Sequence, residues 1–202
     1  MSRTVVDVAK TLDHAVLKPE LTAADLAKQA AMCGDRGVGC LCVRSCDVAE
    51  AARLAIADGA RELDMVMNVG ALKSGRETLV RDDIAAVVAA AKPAGVLVKV
   101  ILETCYLTPD EIRAACRLAE EAGADFVKTS TGFGIRASGP TGATPEAVQI
   151  MLDAVGGRLQ VKASGGIRTW ADAVSYLDMG CTRLGVGDAA AILDGRPAAG
   201  TY

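Results

Sequence analysis

Short apolar runs recur along the chain, and each is followed by an Ala/Leu-rich stretch whose apolar positions repeat at helical spacing. The predicted strands are Leu12–Leu17, Cys40–Val43, Leu63–Val69, Val96–Leu102, Phe126–Ser130, Leu159–Ala163 and Arg183–Val186. They are apolar almost throughout, as strands covered on both faces must be. Helix starts are well marked. Thr108-Pro109-Asp110-Glu111 and Thr144-Pro145-Glu146 place Thr at the N-cap, Pro at the first helical position and acid in the first turn. Thr22 with Asp25 and Thr169 with Asp172 resemble capping boxes, with Asp in place of the usual Glu. Gly59, Gly123 and Gly180 sit where the preceding helices should stop. The repeated strand–helix alternation predicts an α/β fold, a parallel sheet with helices outside.

This pattern leaves a barrel and an open sheet both in play. A (β/α)₈ barrel typically needs about 250 residues, whereas this chain has 202 and seven candidate strands. No GxGxxG opens a helix after the first strand, and no GxxxxGK[ST] is present, so the nucleotide-binding fingerprints are missing.

Composition narrows the function classes. At 51% hydrophobic and 23% charged, the chain can bury a sizeable core and is not disordered. The 22 Lys+Arg against 25 Asp+Glu leave a net charge of −3, and no local basic run compensates, which argues against phosphate neutralisation on nucleic acid. Aromatics at 3% argue against base-stacking platforms. The longest charge-free apolar stretch, Ile84 to Ala91, is far short of the ~18 residues of a membrane span. Asp7 stands where an export signal would keep an apolar core. Seven Cys, an odd count, read as reduced thiols in a cytoplasmic protein. Cys33, Cys40, Cys42 and Cys46 cluster loosely without a CxxC pair, and His14 is the single histidine. They are expected to be small buried apolar residues, with no metal and no cofactor.

The candidate chemistry lies inside the strands. Leu97-Val98-Lys99-Val100, Phe126-Val127-Lys128-Thr129 and Gln160-Val161-Lys162-Ala163 each carry a lysine within an apolar run. Asp64 lies in the strand before them, and Glu103 ends the Lys99 strand. An unpaired buried ammonium costs several kcal/mol. Burial disfavours the ammonium, and a neighbouring ammonium disfavours it further. A lysine that is neutral near pH 7 attacks carbonyls to give a Schiff base, and a carboxylate can move protons. The plain alternative is a core ion network of Lys99, Lys128 and Lys162 with Asp64 and Glu103. Three lysines on three strands with an acid on a fourth favour the catalytic reading. Thr131-Gly132-Phe133-Gly134, Ser164-Gly165-Gly166 and Gly185-Val186-Gly187 follow three of the strands and suggest a phosphorylated substrate.

The segments ELDMVMNVGALKSG, VLVKVILETCYLT, GADFVKTSTGFG and VKASGGIRT closely resemble the deoxyribose-phosphate aldolase family, as does the opening TLDHAVLKP. The resemblance runs from about Thr11 to Leu193. It implies a single TIM-type (β/α) barrel domain over residues 1–202. It also implies a class I aldolase that reversibly cleaves 2-deoxy-D-ribose 5-phosphate to D-glyceraldehyde 3-phosphate and acetaldehyde without metal. By motif, Lys128 is the Schiff-base lysine, Lys162 the amine that lowers its pKa, and Asp64 the acid/base. Lys99, Asp13 and Cys42 match residues lining the pocket. Thr129 and Thr131 flank the nucleophile, and Gly132, Gly165 and Gly166 match phosphate-contacting backbone. Gly185 and Gly187 belong to the last phosphate loop. The implied partners are a small phosphorylated sugar and aldehydes, with a homo-oligomer as a further expectation and no nucleic acid or membrane.

Two departures from the family pattern stand out. Roughly one βα unit, on the order of 30 residues, is missing between the Cys40–Val43 and Asp64 strands, leaving seven recognisable strands where the fold has eight. A barrel so shortened must close differently or leave a gap beside the Asp64 strand, wetting the pocket. Secondly, where the family has a Gly-Thr-Ser-Ser-Gly-type segment, this chain has Gly185-Val186-Gly187-Asp188-Ala189. A carboxylate aimed at a phosphate dianion opposes binding. An insert around Ile135–Gly142 lengthens the loop after Lys128. The alternatives to an active aldolase are therefore an inactive, truncated family remnant and an aldolase for a non-phosphorylated aldehyde.

Overall fold

The computed structural model describes residues 13–16, 22–36, 40–43, 56–57, 60–135, 138–187, 191–192 and 194–197. Among them, seven strands form one parallel sheet in sequence order. They are β1 (Asp13–Val16), β2 (Cys40–Val43), β3 (Glu62–Val66), β4 (Leu97–Ile101), β5 (Phe126–Lys128), β6 (Gln160–Ser164) and β7 (Arg183–Gly185). The helices are α1 (Ala23–Arg36), α2 (Val69–Lys73), α3 (Glu77–Ala91), α4 (Pro109–Glu121), α5 (Pro145–Val155) and α6 (Trp170–Met179). The alternation read from the apolar pattern is therefore the α/β order of the described chain.

Three strand ends are corrected. The predicted Leu63–Val69 strand stops at Val66, because Asn68 caps a helix that starts at Val69, its side chain accepting from the Ala71 amide. The Lys99 strand ends at Ile101, two residues before Glu103. The Phe126–Ser130 strand ends at Lys128. Gly59 lies outside the described residues.

The predicted caps are present. Thr108 and Glu111 form a reciprocal capping box at α4, and Thr169 with Asp172 forms one at α6. The Thr144 hydroxyl accepts from the Ala147 amide at α5. Gly180 ends α6 at φ 115°, a left-handed value that a Cβ would strain.

The helices cover one side of the sheet. Val80, Ile84 and Val87 of α3, Ile112 and Ala115 of α4, and Val148 and Met151 of α5 form one buried cluster with Val98, Val100, Val127 and Val161 of the strands. Successive strand residues point to opposite faces, so Lys99, Lys128 and Lys162, which alternate with those valines, point to the other face.

That second face is enclosed by curling of the sheet. Strands about 4.8 Å apart would put β3 and β7 roughly 19 Å apart in a flat sheet. Yet Arg183 of β7 bonds Glu62 of β3 through two nitrogens, each at 2.8 Å. β3 pairs on one side with β2, Asp64 opposite Cys42, and on the other with β4, so no gap flanks the Asp64 strand.

Candidate active site

Parallel register brings the charged residues together. Asp64 is the partner of Lys99, and Lys128 is the partner of Lys162. Directly opposed residues of neighbouring strands share a face. The four side chains converge on the enclosed side of the sheet, each residue no more than 1% exposed.

Asp64 is the hub. Its Oδ1 accepts from Lys99 Nζ at 2.8 Å, and its Oδ2 accepts from both Lys128 Nζ and Lys162 Nζ at 2.9 Å. Two 2.9 Å legs from one oxygen keep the two lysine nitrogens within 5.8 Å of each other. Burial alone would push the Asp64 carboxyl up, but the surrounding ammonium groups of Lys128, Lys162 and Lys99 outweigh it and hold it well below the usual carboxylate range.

The cluster extends beyond the predicted residues. Lys99 Nζ also meets Glu62 Oε2 at 2.7 Å, and Glu62 is in turn held by Arg183. Lys99 and Arg183 both lie against the Phe126 ring, at 5.8 and 5.7 Å from its centre. Burial raises the Glu62 carboxyl, yet its bonds from Arg183 and Lys99 leave it lower than usual. Sequence reasoning missed Glu62 and Arg183. The signal was present for one of them: Glu62 stands two residues before Asp64, hence on the same strand face. Arg183 lies four strand spacings away from it, and only curling joins them.

Glu103 sits between the lysines and the loop after β5. Among the described residues it is the one non-glycine with a positive φ, 56°. Both of its carboxylate oxygens accept from the Thr131 amide, at 3.1 and 3.2 Å. Burial pushes its carboxyl up, against the lowering by Thr131 and Lys128.

The flanking residues are ordered by backbone bonds. Thr129 Oγ1 donates to the Ser164 carbonyl and accepts from its amide, both at 3.0 Å, tying the residue after β5 to the last residue of β6. Thr131 Oγ1 accepts from the Phe133 amide at 3.0 Å. Gly132, Gly165 and Gly166 have φ of 88°, 83° and 79°, values natural only to glycine. A Cβ on Gly142 would lie 2.3 Å from the Gly165 carbonyl oxygen, so the long loop after Lys128 rests directly on the glycine turn after Lys162. Gly185 is buried and its carbonyl accepts from the Gly165 amide at 3.3 Å, whereas Gly187 is exposed. Asp13 and Cys42 hold register positions opposite Cys40 and Asp64, and their side chains lie outside the described residues, as does Asp188.

Comparison with known proteins shows the family to which the chain belongs. The family model described as DeoC/LacD family aldolase matches residues 11–185. The chain belongs to that family. It is 42% identical over 220 residues to a deoxyribose-phosphate aldolase of Carboxydothermus hydrogenoformans, covering 93% of this chain and 94% of the relative. It is 45% identical over 227 residues to that of Mycobacterium avium, covering 96% and 99%. Among solved structures, a tetrameric deoxyribose phosphate aldolase from Aeropyrum pernix superposes with a TM-score of 0.66 at 26% identity, over 95% of this chain and 91% of that one. The aldolase QR15 superposes with a TM-score of 0.65 at 33% identity, over 89% and 90%. Since 93% of 202 residues is about 188, the 220-residue alignment holds about 32 positions without a counterpart here. That matches the length of the unit expected to be missing.

Proposed function

We propose that this family member cleaves 2-deoxy-D-ribose 5-phosphate reversibly to D-glyceraldehyde 3-phosphate and acetaldehyde through a Schiff base on Lys128. The observation that carries the reading is the pair Lys128 and Lys162, both bonded to one oxygen of Asp64 in a site closed to solvent. Lys99, Lys128, Lys162 and Arg183 bring four positive charges, against Asp64, Glu62 and a Glu103 whose carboxyl burial pushes towards its neutral form. Uncompensated positive charge in a buried site favours release of a proton from one amine. The neutral Lys128 Nζ attacks the C1 aldehyde, and loss of water leaves a protonated imine. Loss of the 3-hydroxyl proton drives cleavage of the C2–C3 bond, whose electron pair passes into the enamine. Glyceraldehyde 3-phosphate leaves. The enamine carbon is then protonated, and water releases acetaldehyde and the free amine. Asp64, bonded to both lysines, moves the protons, acting through Lys162 or a water.

The glycine turns after β5, β6 and β7 support a phosphate site built of backbone amides, with Gly132, Gly165, Gly166, Gly185 and Gly187 at its rim and Thr129 and Thr131 shaping it. Lys99, Asp13 and Cys42 are proposed to line the pocket. The ties from β3 to β6 and β7 support closure of one seven-stranded (β/α) barrel domain over residues 1–202. A cytoplasmic homo-oligomer is the proposed context, by analogy with the tetrameric relative.

Acetaldehyde with borohydride tests the reading. The protein should gain a stable ethyl group on Lys128, located by peptide mass, and Lys128→Ala should abolish it. Absence of the adduct in the unaltered protein would favour the inactive remnant.

A further inference from the structure

The ion chain does not stop at the lysines. From β7 to β5 it reads Arg183, Glu62, Lys99, Asp64, then Lys128 and Lys162, with successive contacts of 2.8, 2.7, 2.8 and 2.9 Å. The two oxygens of Asp64 are divided: Oδ1 serves Lys99, and Oδ2 serves the other two lysines. Lys99 thus sets the rotation of the carboxylate. Lys99 itself, with no exposed surface, is stretched between Asp64 and Glu62 and packed against Phe126. The Glu62 carboxylate is in turn fixed by both terminal nitrogens of Arg183, the planar fork that best orients a carboxylate.

We infer that Glu62, clamped by Arg183, is a positioning residue: it anchors Lys99 and so presents the Asp64 oxygen that Lys128 and Lys162 share. This rests on the aldolase reading above. Each acts through another side chain, Arg183 through Glu62 and Glu62 through Lys99. Their side chains, 19% and 42% exposed, start from the first residues of β3 and β7: Glu62 lies two residues before Asp64, and Arg183 holds the register position opposite Lys162. The pair also carries charge. Glu62 adds one negative charge near the cluster and Arg183 one positive, so removing either changes the field at Lys128 in opposite senses.

Two variants test the assignment. Glu62→Gln should lower kcat about tenfold or more while leaving KM within about threefold, because a carboxylate displaced by a fraction of an ångström impairs the chemical step. It should also move the acid limb of the kcat/KM profile to lower pH, since less negative charge surrounds the amine. Arg183→Gln should lower kcat similarly and move that limb to higher pH. A structural role alone moves neither limb. Unchanged limbs in both variants, or unchanged kcat in both, would overturn the inference even if the proteins trap the ethyl adduct. If Glu62→Gln does not fold, the upward shift in Arg183→Gln decides the matter alone. Failure of the unaltered protein to trap the adduct at Lys128 would sink the Schiff-base reading and the inference with it, an outcome visible before either variant is made.

Discussion

Replacing Asp64 by Asn leaves the buried amines of Lys99, Lys128 and Lys162 without the carboxylate they share. The side chain keeps its shape and one acceptor oxygen, so the change is chiefly one of charge. Removing one partner of a buried ion pair costs about 3–5 kcal/mol. Asp64 contacts Lys99, Lys128 and Lys162 at once, with no exposed side-chain surface. The cost does not triple, because a stranded lysine can shed its proton. A loss of about 3–5 kcal/mol is a large share of the roughly 5–15 kcal/mol that stabilises a domain. Urea unfolding followed by far-UV circular dichroism measures it. The pH dependence has a definite sign. The folded Asp64 carboxyl lies below its unfolded value, so its contribution is complete above the ordinary range, near pH 3.9, and fades as pH falls towards the folded value. The gap between the two proteins should therefore narrow below about pH 4. A difference under about 1 kcal/mol at pH 7, or one flat from pH 3 to 9, would refute the view that Asp64 compensates buried charge.

Gly142→Ala should destabilise by about 1–3 kcal/mol, as its Cβ would collide with the Gly165 carbonyl. It should also raise KM for the phosphorylated substrate by displacing the glycine turn, read in thermal unfolding and steady-state kinetics. Glu103 has a raised folded carboxyl, so the native protein should lose stability as pH rises from the ordinary Glu range into the raised one. Glu103→Gln should lack that step in a urea titration repeated between pH 4 and 8. Asp188→Ser removes a negative charge from the last glycine segment. It should raise kcat/KM for 2-deoxyribose 5-phosphate relative to 2-deoxyribose, and an unchanged ratio would place Asp188 outside the site.

Local physics along the chain is enough to mark the helix starts at Thr108, Thr144 and Thr169, because a cap and its partner lie within three residues. It also shows three lysines embedded in apolar strands, since period-two alternation with valine is a neighbour-scale pattern. The family's motif spacing identifies Lys128, Lys162 and Asp64 as candidates. What no stretch of sequence carries is the distance between them. Register sets Lys128 opposite Lys162, and curling of the sheet brings Asp64 to both and Arg183 to Glu62, residues 121 positions apart. The same long-range packing sets β2 directly beside β3 and answers whether the Asp64 strand loses a neighbour. Hydrogen bonds within a turn are written in adjacent residues, but a charge cluster built from five strands exists only once the sheet has curled.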